Sequence, residues 1–256
     1  MKIHHIRNAT FVIETGDIHI LVDPMLGKKG SMPPFTFFRF KARRNPMVNL
    51  PDNYETILEK VTRCIITHQH PDHIDNAAKR FLKDRNIPII CSMKDAKTFR
   101  KDQLNVTLEL KYWSKESFLG GTITGIPARH GYGFIAKPMS NVMGFYLDLP
   151  NTPSIYISAD TIYTDDVEKV LEDLKPEVTV MAAGSAQFDI GQPLLMHLDD
   201  IVKFVKKSPG KVYANHLEAL NHCPTTRQLL KSKLSENGLL KKVSIPEDGE
   251  TILISP

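Results

Sequence analysis

The chain alternates between short apolar runs and charged segments, and this alternation predicts an α/β protein. The β-branched runs of residues 1–25 are divided by Thr15-Gly16-Asp17, which is a hairpin turn signal. Further along, the buried runs 61–67 and 87–92 precede segments with helical spacing at 74–85 and 93–103. The same alternation continues over 162–256, where several apolar runs are long enough to be covered on both faces.

Residues 27–52 interrupt this pattern. A connection of this length is uncommon within a compact domain and is often functional. No linker or change of composition divides the chain there or elsewhere, so we predict one domain over residues 1–256. The interrupting segment is rich in aromatic and basic side chains, which are Phe35, Phe37, Phe38, Phe40, Arg39, Lys41, Arg43 and Arg44.

Histidines and aspartates are crowded after the buried run 61–67, in the sequence His-Gln-His-Pro-Asp-His of residues 68–73. In extended backbone His68 and His70 project to the same side. Pro71 cannot continue a strand ladder, so we expect Asp72 and His73 at the start of the next helix. Imidazole and carboxylate ligands suit zinc, iron or manganese. The alternative is a histidine-rich polar loop, and the number and spacing of ligand-type side chains favour the metal site.

Three later polar residues each close an apolar or β-branched run: His130, Asp160 and His216. Each has an alternative role when it is considered alone. His130 could be a hydrogen-bonded surface residue, Asp160 could be a helix N-cap, and His222 is a rival to His216. Their order and spacing favour a shared site with residues 68–73.

This set of motifs resembles the metallo-β-lactamase superfamily, and the resemblance extends over residues 1–256. It implies an α/β fold, the four-layer αββα sandwich of two mixed β-sheets flanked by helices, with metals at one edge of the sheets. It also implies two divalent metal ions, for which zinc is expected and manganese or iron are alternatives. By resemblance, one ion is bound by His68, His70 and His130, the second by Asp72, His73 and His216, while Asp160 bridges the two and Asp23 supports the site.

The resemblance implies a hydrolase. Two metal ions can lower the pKa of a shared water, and the resulting hydroxide attacks a carbonyl or phosphorus centre. We therefore expect cleavage of an ester, lactone or phosphoester, with Asp72 as the catalytic residue that steers or carries the proton. A looser similarity points to the branch that contains the L-ascorbate-6-phosphate lactonase. The alternatives are a nuclease or phosphodiesterase of the superfamily, a di-iron redox protein and a non-catalytic metal-binding protein.

The residues around the motifs suggest how substrate is bound. The basic side chains of residues 39–44 favour an anionic small molecule, although residues 27–52 could equally form a surface loop or an oligomer contact. Glu218 and His222 follow the last motif and are expected to support the metals or to contact substrate. The candidate substrate-binding residues are Arg43, Lys137 and Asn141, with Ser140 in the same loop.

Composition narrows the possible partners and cellular environment of the protein. The net charge is +4, from 33 basic and 29 acidic residues, which makes nucleic acid an unlikely partner. The three cysteines show no CxxC spacing, so we expect a reducing, cytoplasmic environment. No apolar stretch approaches the roughly 18 residues of a membrane span, so no membrane association is expected. The sequence does not determine the oligomeric state, and a homo-oligomer is one of the possibilities.

Overall fold

The computed structural model describes residues 1–139 and 141–254, and in these residues two seven-stranded sheets form the centre of the molecule. The first sheet has the strand order β14-β1-β2-β3-β4-β5-β6, and the second has the order β13-β12-β11-β10-β9-β8-β7. The strands of the first sheet are β1 (Lys2–Arg7), β2 (Thr10–Thr15), β3 (Ile18–Val22), β4 (Arg63–Ile65), β5 (Ile89–Ser92), β6 (Val106–Leu110) and β14 (Thr251–Leu253). Those of the second are β7 (Lys115–Phe118), β8 (Gly121–Pro127), β9 (Met143–Asp148), β10 (Ile155–Ile157), β11 (Val178–Ala182), β12 (Lys211–Asn215) and β13 (Val243–Ser244).

Helices cover the outer faces of both sheets. Apolar side chains of β3, β4 and β5 pack against α1, α2 and α3, while those of β11 and β12 pack against α4, α5 and α6. A third apolar cluster lies between the sheets and contains residues from both. The helices are α1 (Tyr54–Glu59), α2 (Asn76–Asp84), α3 (Met93–Lys101), α4 (Asp165–Lys169, continued by a π-helix over Val170–Leu174), α5 (Leu198–Lys207) and α6 (Arg227–Glu236), with 3-10 turns at Gly133–Ala136 and Leu240–Lys242.

Each sheet is antiparallel in one half and parallel in the other. In the first sheet β3, β4, β5 and β6 run parallel, and in the second β10, β11, β12 and β13 run parallel. Carboxyl ends of parallel strands lie at one edge of a sheet, where the connecting loops can carry a site. The loops that follow β3, β4, β8, β10 and β12 contain all the residues expected to bind or support metal.

The predicted four-layer α/β sandwich of two mixed sheets flanked by helices is confirmed. The helical segments expected at 74–85 and 93–103 contain α2 and α3. Helix α1 was not predicted, because its six residues are too few to show a helical period. Residues 27–52 contain no helix or strand beyond one bridge between Met32 and Asn45. Within 1–139 and 141–254, no helix has the length and apolar character needed to cross a bilayer.

Candidate metal centre

The loop between β4 and α2 differs in detail from its prediction. Strand β4 ends at Ile65, so His68 and His70 lie beyond the ladder rather than within it. Helix α2 begins at Asn76 with Asp75 as its N-cap. Asp72 and His73 therefore lie in a turn before the helix, not in its first turn. That turn is closed by the backbone N–H groups of His73 and Ile74, which both donate to the carbonyl of His70.

Seven side chains from both sheets meet as two adjacent groups of ligand atoms. Within each group the potential ligand atoms all lie within 4.8 Å of one another. We name the groups the histidine half-site and the carboxylate half-site. The first contains His68, His70 and His130, and the second contains Asp72, His73, Asp160 and His216.

Asp160 lies between the two half-sites. Its Oδ2 atom is 3.3 Å from His73 Nε2, 3.5 Å from His216 Nε2 and 3.5 Å from His130 Nε2. The sequence left open whether Asp160 caps the following helix, but the N-cap of α4 is Thr164. One oxygen of this carboxylate is thus within 3.5 Å of histidines from both half-sites.

The histidines of the two half-sites have pKa values that are shifted in opposite directions. Burial lowers the pKa of His68 well below its usual value and that of His130 to about 4. These rings are neutral, as metal ligands must be. In the carboxylate half-site, burial is outweighed by the charges of Asp160, Asp23 and Asp72, which raise the pKa of His73 to about 10. The pKa of Asp160 is depressed because the charges of His73 and His216 overcome its burial. His73 and His216 therefore hold protons beside the two carboxylates, and a bound metal ion would replace those protons.

Several buried polar atoms here have no hydrogen-bond partner among the residues that the structure describes: His73 Nε2, His216 Nε2 and Asp160 Oδ1. Leaving such atoms unpaired in a protein interior is costly. Nitrogen and carboxylate oxygen atoms at these spacings form a donor set that suits a transition-metal ion. The residues therefore fit the divalent metals expected from the sequence.

The outward-facing ring nitrogens are held by a network centred on Asp23. His73 Nδ1 donates to Asp23 Oδ2 at 2.8 Å, and the Thr67 hydroxyl donates to the same oxygen at 2.7 Å. Thr67 in turn accepts from His68 Nδ1 at 3.0 Å. Asp23 thus orients one histidine of each half-site with Nε2 toward the centre, which is the supporting arrangement common to metal sites. His130 is oriented similarly, because its Nδ1 donates to the carbonyl of Leu194 at 3.0 Å.

Two supporting residues were missed by the sequence reasoning. Asn8 is fully buried. Its side-chain N–H donates to the backbone carbonyl of Asp72, and its backbone carbonyl accepts from the backbone N–H of His216. Cys223 Sγ lies 3.5 Å from His216 Nδ1. The His-Cys pair at 222–223 was the available signal for the second, whereas nothing local distinguishes Asn8.

Left-handed backbone is concentrated around the centre. Asn8, Asp23, Ala159 and His216 have φ values of 59°, 45°, 59° and 60°. Non-glycine residues rarely adopt this conformation, and such strain clusters at functional sites where packing enforces it. The fold therefore holds both the ligands and their neighbours in conformations that isolated chains would avoid.

The other candidate residues lie in varied surroundings. Glu218 forms an ion pair with Arg227 at 2.6 Å. The His222 ring is packed between Phe35 and Phe188, with ring centroids 5.0 and 5.7 Å away. The side-chain N–H of Asn141 donates to Asp95, and its side-chain carbonyl accepts from the hydroxyl of Tyr112. Arg43 and Lys137 are exposed, and Ser140 lies outside the described residues.

Long-range contacts hold residues 27–52 against this edge. The guanidinium of Arg7 is buried and donates to carbonyls of Met25, Gly27 and Val48, which lie at the two ends of the segment. Asn221 donates to the carbonyls of Thr36 and Lys41. The segment is therefore anchored at its ends and in its middle.

Comparisons with known proteins agree with this geometry. Residues 19–216 match the family model of the beta-lactamase superfamily domain. UPF0173 protein YddR from Bacillus subtilis is 32% identical over 254 residues, covering 98% of this chain and 99% of the relative.

Two solved structures cover nearly all of both chains. The crystal structure of a possible metal-dependent hydrolase from Veillonella parvula has a TM-score of 0.91 and 29% identity, covering 99% of each chain. The structure of an isothiocyanate hydrolase from Delia radicum gut bacteria has a TM-score of 0.90 and 31% identity, covering 100% of each chain.

Proposed function

The chain belongs to the beta-lactamase superfamily and is a metal-dependent hydrolase, and on that premise we propose that it works with two divalent metal ions. The observation that carries the proposal is the pair of adjacent ligand groups with Asp160 between them. Bound at the two half-sites, the ions would supply a hydroxide nucleophile near neutral pH and polarise the bond to be cleaved. Zinc is the expected metal because histidine dominates the donor set.

The protein's own residues orient this chemistry. Asp72 Oδ2 lies 3.3 Å from His216 Nε2 and 3.7 Å from His73 Nε2. The charges of His73 and His216 overcome the effect of burial and keep the pKa of Asp72 well below its usual range. A carboxylate that stays ionised here can accept a hydrogen bond from the attacking water and so orient it, and Asp72 is therefore the proposed catalytic residue.

For the bond that is cleaved, we propose an ester, lactone or phosphoester of a small molecule. An isothiocyanate is the second candidate, favoured by the 31% identity and full-length match to an isothiocyanate hydrolase. In that reaction water adds across the C=N bond, with its oxygen bonding to carbon and one proton passing to nitrogen. The thiocarbamic acid that forms then breaks its C–N bond, giving a primary amine and carbonyl sulfide.

Metal removal and reloading tests the proposal. The purified protein would be stripped with a chelator, reloaded separately with zinc, manganese or iron(II), and assayed on a lactone, a phosphodiester and an isothiocyanate. We expect hydrolysis of at least one substrate to disappear on stripping and to return on reloading. Metal-loaded protein that hydrolyses none of them would favour a binding protein, and redox-active iron without hydrolysis would favour a di-iron redox protein.

A further inference from the structure

An apolar cluster lies beside the metal centre, in loops rather than within the layers of the sandwich. Its buried members include Met25, Ala182, Leu194 and Cys223, which lie in loops or strand ends at the edge of the sheets where the ligands lie. Its partly buried members come from three separate loops and are Met32, Phe35, Val48, Ile135 and Phe188.

Short contact paths join this cluster to the ligands. Phe35 and Phe188 both pack on the ring of His222, whose Nδ1 is 3.9 Å from Cys223 Sγ. That sulfur contacts His216 in turn. On the other side, Ile135 lies against Gly131, the residue after His130. The partly buried apolar side chains therefore flank both half-sites.

Large apolar side chains also protrude at the rim of these loops. Phe38, Ile190, Phe134 and Phe37 are 92%, 76%, 66% and 55% exposed. They lie near one another because the carboxylate of Asp189 accepts the backbone N–H groups of residues 37, 38 and 39, and Gly191 lies against Ile135. Single exposed apolar residues are ordinary, but several grouped together indicate a binding surface.

Two arginines of the same loops are bound to backbone carbonyls, and the other basic side chains are exposed. Arg39 donates to the carbonyls of Asp189 and Gly191, and Arg44 donates to the carbonyl of Gly30 at 2.6 Å. Lys41, Arg43 and Lys137 are exposed. The partly buried side chains of these loops that lie close to the ligands, Phe35, Phe188 and Ile135, are therefore apolar, and we call them the apolar wall.

Given the proposed hydrolytic function, on which this inference rests, we propose that the substrate is an uncharged molecule with an apolar, ring-sized group beside the bond that is cleaved. Phe35, Phe188 and Ile135 would be the specificity-determining residues. A ring that leaves water to contact them gains affinity from its buried apolar area. An anionic substrate, expected from the basic residues of 39–44, is the competing outcome.

Three hydroxamates with the same metal-binding head separate these outcomes without any need for turnover. Binding of acetohydroxamate, phenylacetohydroxamate and succinic monohydroxamate to the zinc-loaded protein would be measured by calorimetry. We expect the phenyl compound to bind at least about tenfold more tightly than acetohydroxamate, and the carboxylated compound to gain nothing. Tighter binding of the carboxylated compound, or no gain from the phenyl group, would overturn the proposal while leaving hydrolysis itself intact.

Variants assign the effect to the wall. Phe35→Ala and Phe188→Ala should each remove most of the phenyl preference, measured in each variant as the ratio of phenylacetohydroxamate affinity to acetohydroxamate affinity. Phe81→Ala is the matched control, because Phe81 is a partly buried ring on α2 that packs against the apolar cluster of the outer layer. Circular dichroism would establish that each variant folds. If Phe35→Ala instead changes the molecular mass in solution and keeps the phenyl preference, the apolar surface holds a second copy of the chain and the proposal is wrong.

Discussion

The two half-sites are built from similar elements of the fold, but the pKa values of their histidines are shifted in opposite directions. The histidine half-site has three buried or partly buried rings, of which His68 and His130 are made neutral by burial. The carboxylate half-site contains two aspartates, and their charges hold a proton on His73. The first offers neutral nitrogen ligands, whereas a cation bound in the second would replace protons that His73 and His216 hold beside the carboxylates. The two groups therefore differ in their donor atoms, with three imidazoles in the first and two imidazoles with two carboxylates in the second.

Removing one ligand from each half-site should give the largest effects and should separate the two. His130→Ala removes a ligand of the histidine half-site, and His216→Ala removes one of the carboxylate half-site. We expect each variant to retain one ion per chain and to lose at least about a hundredfold in turnover, because each ion depends on few ligands. Metal analysis and steady-state kinetics check this; loss of both ions in both variants would show that the half-sites are not separable.

The Asp72→Asn variant tests whether this carboxylate acts on the proton beyond binding metal. An amide keeps the shape and one oxygen but cannot accept a proton, so we expect turnover to fall by about 10²–10⁴-fold with a smaller loss of metal. The readout is kcat beside metal content in the same preparation. Unchanged turnover, or a loss of turnover that only follows the loss of metal, would exclude the proposed role.

Asp23 is common to both half-sites, so its replacement should weaken both rather than one. The Asp23→Asn variant alters the acceptor for His73 and Thr67, and we expect metal affinity to fall by about 10–100-fold. Competition with a chromophoric chelator measures this for each ion. Weakening of the carboxylate half-site alone would show that the path through Thr67 to His68 contributes nothing.

The smallest effect is expected at Asn8, which joins the backbones of Asp72 and His216. Removing its buried side-chain hydrogen bond in Asn8→Ala should lower the free energy of unfolding by about 1–3 kcal/mol. Denaturant unfolding of the metal-free protein measures this loss. Because the bond that is lost holds the backbone of Asp72, in the carboxylate half-site, metal affinity there should fall more than in the histidine half-site.

The sequence predicted much of this centre because the relevant signals are local. His68, His70, Asp72 and His73 lie within six residues, and each later ligand follows an apolar run. Alternation of strands and helices likewise indicated the layers. The exact backbone was less predictable: the strand stops at Ile65, and a turn separates His73 from the helix.

Contacts between distant parts of the chain were not predictable. Asp189 binds residues 36–39 and Asn221 binds both Phe35 and Asn45, across 150 or more positions. No local pattern distinguishes these polar residues from ordinary loop residues. The basic and aromatic side chains of 27–52 were equally visible in the sequence, but only the packed structure separates Phe35, against His222, from Phe38, in solvent.

Seven side chains are proposed to form a dinuclear metal centre, and the ratio of bound metal to protein measures this directly. Metal-free protein would be equilibrated with excess zinc, dialysed, and analysed by inductively coupled plasma mass spectrometry beside the Asp160→Ala variant. We expect two zinc ions per chain in the parent protein and fewer in the variant, because Asp160 lies between the half-sites. A ratio of one or less in the parent protein, or two ions retained by Asp160→Ala, would contradict it.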